Sequence, residues 1–184
     1  ISSGIALKEA DITKPDAIIT GTGMGCMEDT EKFLNAMIVN DEELLTPTAF
    51  IQSTHNTIGG AIALSLNNHS YNLTYVHRTF SFESALLDSM IMINENKAEN
   101  VLVGGFDEIT LESWSIKTKI GHYKRIPIDV DNILNRDEPG AIAGEGSAFF
   151  SLSAKKTDTT YASIIDTDFM LNPNSHNNIG AFIR

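Results

Sequence analysis

Apolar and polar positions fall in blocks along this chain, and the period of the blocks changes from one to the next. Residues 1–10 read as the end of a helix. Asp16-Ala-Ile-Ile-Thr-Gly21 is a short apolar run closed by glycine, which predicts a buried strand. A turn follows at Gly21-Thr-Gly-Met-Gly25. Glu28, Asp29 and Glu31 then place negative charge where a helix begins, with Phe33, Leu34, Met37 and Ile38 on one of its faces. Residues 40–43 are a polar break. Thr46-Pro47 opens a short segment with Phe50 and Ile51 as packing residues. Thr54 or His55 precedes a helix holding Ile58, Ala61, Ile62 and Leu66. The pair Gly59-Gly60 inside it weakens the helix relative to alanine, so close approach of another backbone is expected there.

Residues 73–77 read as a strand. The next helix carries Phe82, Ala85, Leu86, Met90 and Ile93 at helical spacing. Leu87, Ile91 and Met92 make it apolar nearly all round, which predicts a central, buried helix. Polar residues 94–100 end it, and Val101-Leu-Val103 is a further buried strand. Residues 113–137 are the least regular stretch, expected as surface loop with one short helix. Residues 140–146 form a turn-rich entry to the strand Ser147-Ala-Phe-Phe-Ser-Leu-Ser153. Residues 160–167 read as another strand, and the Asn-rich tail 171–184 as loosely ordered. Strands alternating with helices predict one α/β layered domain over residues 1–170.

Composition narrows the picture. The chain has 184 residues, 42% of them hydrophobic, enough for a domain with a real core. A formal charge of −11 excludes nucleic acid as a natural partner, because phosphate binding needs clustered Lys and Arg. It also repels acidic proteins, except at the one basic cluster, Lys117, Lys119, Lys124 and Arg125, which reads as solvated loop before docking patch. Cys26 is the sole cysteine, so no intrachain disulfide forms and a reducing, cytoplasmic setting is expected. The sequons Asn68-His-Ser and Asn72-Leu-Thr are then accidental. No apolar run is long enough to span a membrane. The chain opens at Ile1, without Met, inside a helical pattern, so a trimmed or partial polypeptide is expected.

Chemistry concentrates at one corner. Thr79 sits between the strand at 73–77 and the apolar helix, where helix dipole and free backbone N–H groups meet. Thr79, Ser81 and Ser84 are the hydroxyls there, and N-capping is their commonest use. His77, two residues before Thr79, would share its face in a strand and form a dyad with it, although no neighbour orients the imidazole. Gly21, Gly23 and Gly25 miss the dinucleotide-binding spacing by one residue, with Cys26 where the third glycine belongs, so tight backbone packing accounts for them better. Cys26 opens a helix as well, but a lone cysteine is more often a small buried hydrophobe. His55, His69, His77, His122 and His176 have no metal-ligand spacing, and neither metal nor cofactor is expected.

With these residues in view, the chain resembles the N-terminal half of a β-ketoacyl synthase, of the thiolase-like superfamily. The likeness runs from about residue 3 to about residue 153. It rests on Gly21-Thr-Gly-Met-Gly25, Thr46-Pro-Thr-Ala-Phe50, Ser53-Thr-His-Asn-Thr-Ile58, the Thr79 corner and its helix, Gly104-Gly-Phe-Asp107, and Gly144-Glu-Gly146 before a strand. The Ser-Thr-His-Asn motif and the stretch from His77 to Asp88 look most like ketosynthase-like proteins of bacterial aryl-polyene and flexirubin pathways. The resemblance implies a layered α/β/α thiolase-like fold and decarboxylative condensation of an acyl thioester with malonyl-carrier protein. It puts Thr79 where the family has its cysteine nucleophile, and the other two catalytic residues in a second half of the fold. It places Phe50, His77, Phe80 and Phe82 at the acyl pocket or subunit interface, and structural turns at Gly104, Gly105, Asp107, Gly144, Glu145 and Gly146. The implied partners are acyl carrier protein or acyl-CoA, and a second subunit, in a homodimer or in a heterodimer with an active ketosynthase. The strand before the nucleophile is expected at a sheet edge. Three functions stay open: a subunit degenerate at Thr79 and similar to a chain length factor, an active condensing enzyme using an unusual hydroxyl, and a non-enzymatic module that kept the fold.

Overall fold

Residues 17–21 are buried at every position and form strand β1, Ala17–Gly21. Burial on both faces calls for a strand on either side and a layer above and below. β1 pairs in parallel with β2, Tyr71–Tyr75, and with β3, Asn100–Asp107. β4, Gly146–Ser153, runs antiparallel beside β3, giving the order β2-β1-β3-β4. The computed structural model describes residues 1–125 and 139–170, and the four strands are those of this sheet.

Alternation along the strands builds two cores. Ile18 and Leu102 face Leu7 of α1, Ser2–Glu9, and Ile62 of α4, Thr57–Ser65. Ala17, Ile19, Val101 and Val103 face the opposite way, onto Ala85 of α5, Ser81–Asn94. The result is a three-layer α/β/α sandwich, the fold class expected. Between β1 and α4, helices α2, Met27–Val39, and α3, Pro47–Ser53, pack on each other. α6, Leu111–Lys119, follows β3 behind a capping box in which the Thr110 side chain accepts from the Ser113 N–H at 3.1 Å.

Several expectations are corrected. α5 is not buried all round: Ser81, Ala85 and Ser89 make the buried stripe, while Leu87 and Ile91 are exposed. A helix lying on one sheet has one side to bury, and small residues four apart let it come close. Of the packing residues expected at 46–51, Ile51 is exposed at 61%, while Phe50, half exposed, packs one side of its ring on Phe33. β2 lies two residues earlier than the run at 73–77, which leaves His77 outside it. Residues 160–167 form no strand: Tyr161 and Ile165 stand exposed with no ladder to join. Gly59 is approached by side chains instead of backbone, since an added Cβ would lie 2.9 Å from Asn72 Oδ1, and Gly60 faces open space. Of the irregular stretch at 113–137, residues up to 119 continue α6, and 126–137 lie outside the described residues, as does the tail 171–184.

Candidate functional site

The three parallel strands end together, and the site is built on their carboxyl ends. β2 stops at Tyr75. The chain then reverses through a three-residue turn at Arg78, φ +62°, closed by the Thr79 N–H donating to His77 O at 2.7 Å. A non-glycine residue at positive φ is uncommon, and here it sets Thr79, exposed, just before α5. Gly21 makes this possible, because a Cβ there would collide with the Ser81 carbonyl and the Phe82 nitrogen. The start of α5 is pressed onto the end of β1.

The expected capping of α5 by Thr79, Ser81 or Ser84 does not form. Phe80 is its N-cap, without a side-chain bond, and the Ser81 hydroxyl turns back to accept from the His77 N–H at 2.9 Å. The positive end of the helix is therefore open.

Asp107, at the end of β3, makes the second wall. Its Oδ1 accepts from the N–H groups of Gly23 and Met24, both at 2.9 Å, and from the Thr22 hydroxyl at 3.1 Å. The adjacent Glu108 accepts from the Glu28 N–H at 2.9 Å and so caps α2, whose own N-cap, Cys26, offers no side-chain bond. The third wall is β4 with the loop ahead of it, anchored by Glu145 Oε2, which accepts from the Ile109 N–H at 3.1 Å. Phe82 of α5 and Phe150 of β4 meet at 6.0 Å and 50°. Between the walls lies a cleft of about 650 Å³ that includes Thr79, Ser81, Phe82, Gly105, Asp107, Gly144, Gly146 and Phe150.

Other candidates lie elsewhere. Phe50 sits on α3 against Phe33, ring centroids 5.5 Å apart. His77 stacks on Phe80 at 6.0 Å, and Phe80 also meets Phe169 at 5.8 Å. Gly104 leaves room for the Phe149 ring. Because β2 ends before His77, the shared strand face that would align it with Thr79 is missing, and among the described residues no side chain hydrogen-bonds the Thr79 hydroxyl. The basic cluster gathers at the end of α6, where Arg125 donates to Thr118 O at 3.1 Å and to Lys119 O at 2.6 Å, and the Lys117 ammonium lies 5.3 Å from the Tyr123 ring centre.

The surroundings of Cys26 do not favour its thiolate. Burial pushes its thiol up from the ordinary range, and the carboxylates of Glu108 and Asp29 push the same way. Sequence reasoning missed Glu108 and Arg78. The bond from Glu108 spans 80 residues and leaves no local signal, whereas Arg78 stands one residue before Thr79, where a corner between strand and helix calls for an unusual φ.

The family model described as "Beta-ketoacyl synthase, N-terminal domain" matches residues 12–166. No curated protein matches the chain. Among solved structures, a β-ketoacyl synthase from Burkholderia phymatum STM815 is similar with a TM-score of 0.65 and 17% identity, over 83% of this chain and 40% of that one. The ishigamide ketosynthase/chain length factor gives 0.57 and 20%, over 74% and 35%. A ketosynthase in complex with its chain length factor, from Xenorhabdus doucetiae, gives 0.52 and 18%, over 65% and 48%. At these identities the likeness speaks to the fold, and the chain spans under half the length of each.

Proposed function

Because the chain belongs to the β-ketoacyl synthase family, through its N-terminal domain, we propose that it is a ketosynthase-like subunit of fatty acid, polyene or polyketide biosynthesis, degenerate at its nucleophile position, Thr79. In this reading it takes an acyl chain from acyl carrier protein or acyl-CoA into the cleft and works beside an active ketosynthase, as a chain length factor does. The observation that carries the reading is the residue itself: a threonine, with a hydroxyl in place of a thiol, set at the open end of α5. A thiol at a helix N-terminus ionises near neutral pH. An alcohol is far more basic, and without a general base it stays protonated and weakly nucleophilic. What remains useful is the shape: an apolar slot with backbone donors at one end.

The test is mass spectrometry after incubation with acyl-CoA and with acyl-carrier protein. No adduct is expected on Thr79, Ser81 or Ser84, and a stable ester on any of them overturns the reading in favour of an active hydroxyl enzyme. Thr79→Cys should become reactive toward a thiol-directed ketosynthase inhibitor. Recovery of a cysteine-bearing homologue with the chain from its host supports the subunit role over a lone module.

A further inference from the structure

We propose that the acidic turn after α2 and the basic end of α6 are two halves of one contact, through which a second copy of the chain docks head to tail. Charge and exposed apolar side chains stand together at each. Asp41, Glu42 and Glu43 follow α2, flanked by Ile38, Val39 and Leu44, all exposed, Leu44 at 91%. The turn is fixed in shape: the Glu42 N–H donates to Met37 O at 2.8 Å and the Glu43 N–H to Asn40 O at 2.9 Å. Asp41, Glu42 and Leu44 hold left-handed backbone, at φ +50°, +65° and +53°. Residues other than glycine rarely adopt it, and it persists only where the surrounding structure enforces it. The carboxylates and Leu44 are thus presented on a preset backbone. At α6 the charge is reversed. Lys117, Lys119, Lys124 and Arg125 gather at one helix end, in a chain of net charge −11 with only 13 Lys and Arg. Ile116 and Ile120 stand beside them, each 60% exposed. Arg125 is tied to the carbonyls of Thr118 and Lys119, which keeps the cluster on the helix. The two surfaces do not cover each other within one chain. α2 and α6 share an anchor near their starts, where the Thr110 hydroxyl donates to Glu31, and among the described residues they have no packed length beyond it. Between chains, each surface offers the other apolar side chains to bury and opposite charge to fix the register. Because the two surfaces differ, the contact is heterologous: it adds copies in series and leaves the β2 edge free. It uses no part of the cleft, so it stands whatever Thr79 does.

Light scattering at about 0.5 mM protein tests this, a concentration suited to a contact with a Kd on the order of 0.1 mM. In about 0.05 M salt the weight-average mass should be at least about twice that in about 0.5 M salt, where screening leaves the base species. Glu42→Lys/Glu43→Lys alone, and Lys117→Glu/Lys119→Glu alone, should stay at the base mass in low salt, because like charges then face each other. An equimolar mixture of the two variants restores opposite charge at each contact and should recover the parent's mass. Leu44→Ser removes an apolar anchor without changing charge and should weaken association at least about tenfold. The substituted positions lie at the surface, and circular dichroism checks that the fold is kept. A parent with the same mass at both salt concentrations overturns the proposal and leaves the two surfaces to other occupants. Charge-reversed variants that associate as the parent does overturn it as well, and so does a mixture that stays at the base mass.

Discussion

Gly21 is where one methyl group has the largest effect. The added carbon would occupy the space of the Ser81 carbonyl and the Phe82 amide, both backbone, so neither can rotate away. Gly21→Ala should destabilise the chain by about 3 kcal/mol, the upper range for overpacking. An unchanged urea midpoint would show that α5 does not press on β1 as described. Residue roles of this local kind are legible in sequence. The glycine turn reads as tight packing, and Thr79 as a corner residue, because each depends on close neighbours along the chain. Asp107 reads only as a strand end and structural turn. Its bonds to Gly23 and Met24 cross 84 and 83 residues, and no local pattern announces them. His77 fails for a different reason: the face it shares with Thr79 exists only if both lie in a strand, and β2 ends two residues before it.

Elements follow periodicity wherever one packing partner decides their faces. β4 is readable on that basis, β1 and β3 as apolar runs buried on both faces, and α2 as a helix, although Leu34 and Ile38 of its expected apolar face are exposed at 50% and 75%. α5 shows the limit, since apolar residues on every side say nothing about which side is covered. Residues 160–167 show it again, because β-forming residues make a strand only beside a ladder. One contact between elements carries a pH signature. The Tyr71 hydroxyl of β2 donates to Asp88 of α5 at 3.1 Å. Burial and the Asp88 carboxylate push Tyr71 up to about 12, and the same causes raise Tyr75. A folded pKa above the unfolded value of 10.0 means the contribution is intact below pH 10 and lost as pH rises through about 12. Since Tyr71 is 43% exposed, solvent screens the effect and it is small. The urea midpoint of the parent should fall across that window more than that of Tyr71→Phe, and parallel curves would remove the Tyr71–Asp88 contact from the account of stability.

At the scale of the whole molecule, among the described residues, the sheet has two edges, and β2 is one of them. It is short and contains no proline. Tyr71 and Leu73 are exposed on it, Val76 just after it, and Leu87 and Ile91 on the neighbouring helix. An edge strand with free backbone groups and apolar flanks is a template for pairing, and nothing on β2 blunts it, neither lysine nor bulge. The family likeness implies pairing of this strand across a two-fold axis, so the prediction is a dimer, with a second copy or with an active ketosynthase. Sedimentation at micromolar concentration should give the mass of two chains, or co-expression with the partner a one-to-one complex. Leu73→Lys and Val76→Lys place charge along the edge, the device by which sheet edges avoid association, and should shift the equilibrium to monomer while the fold, read by circular dichroism, is kept. A parent that sediments as a monomer, with no partner recovered from its host, leaves only the interaction-module reading. The reason is physical: a chain length factor acts by walling a tunnel it shares with another subunit, and a chain that never pairs has no tunnel to share.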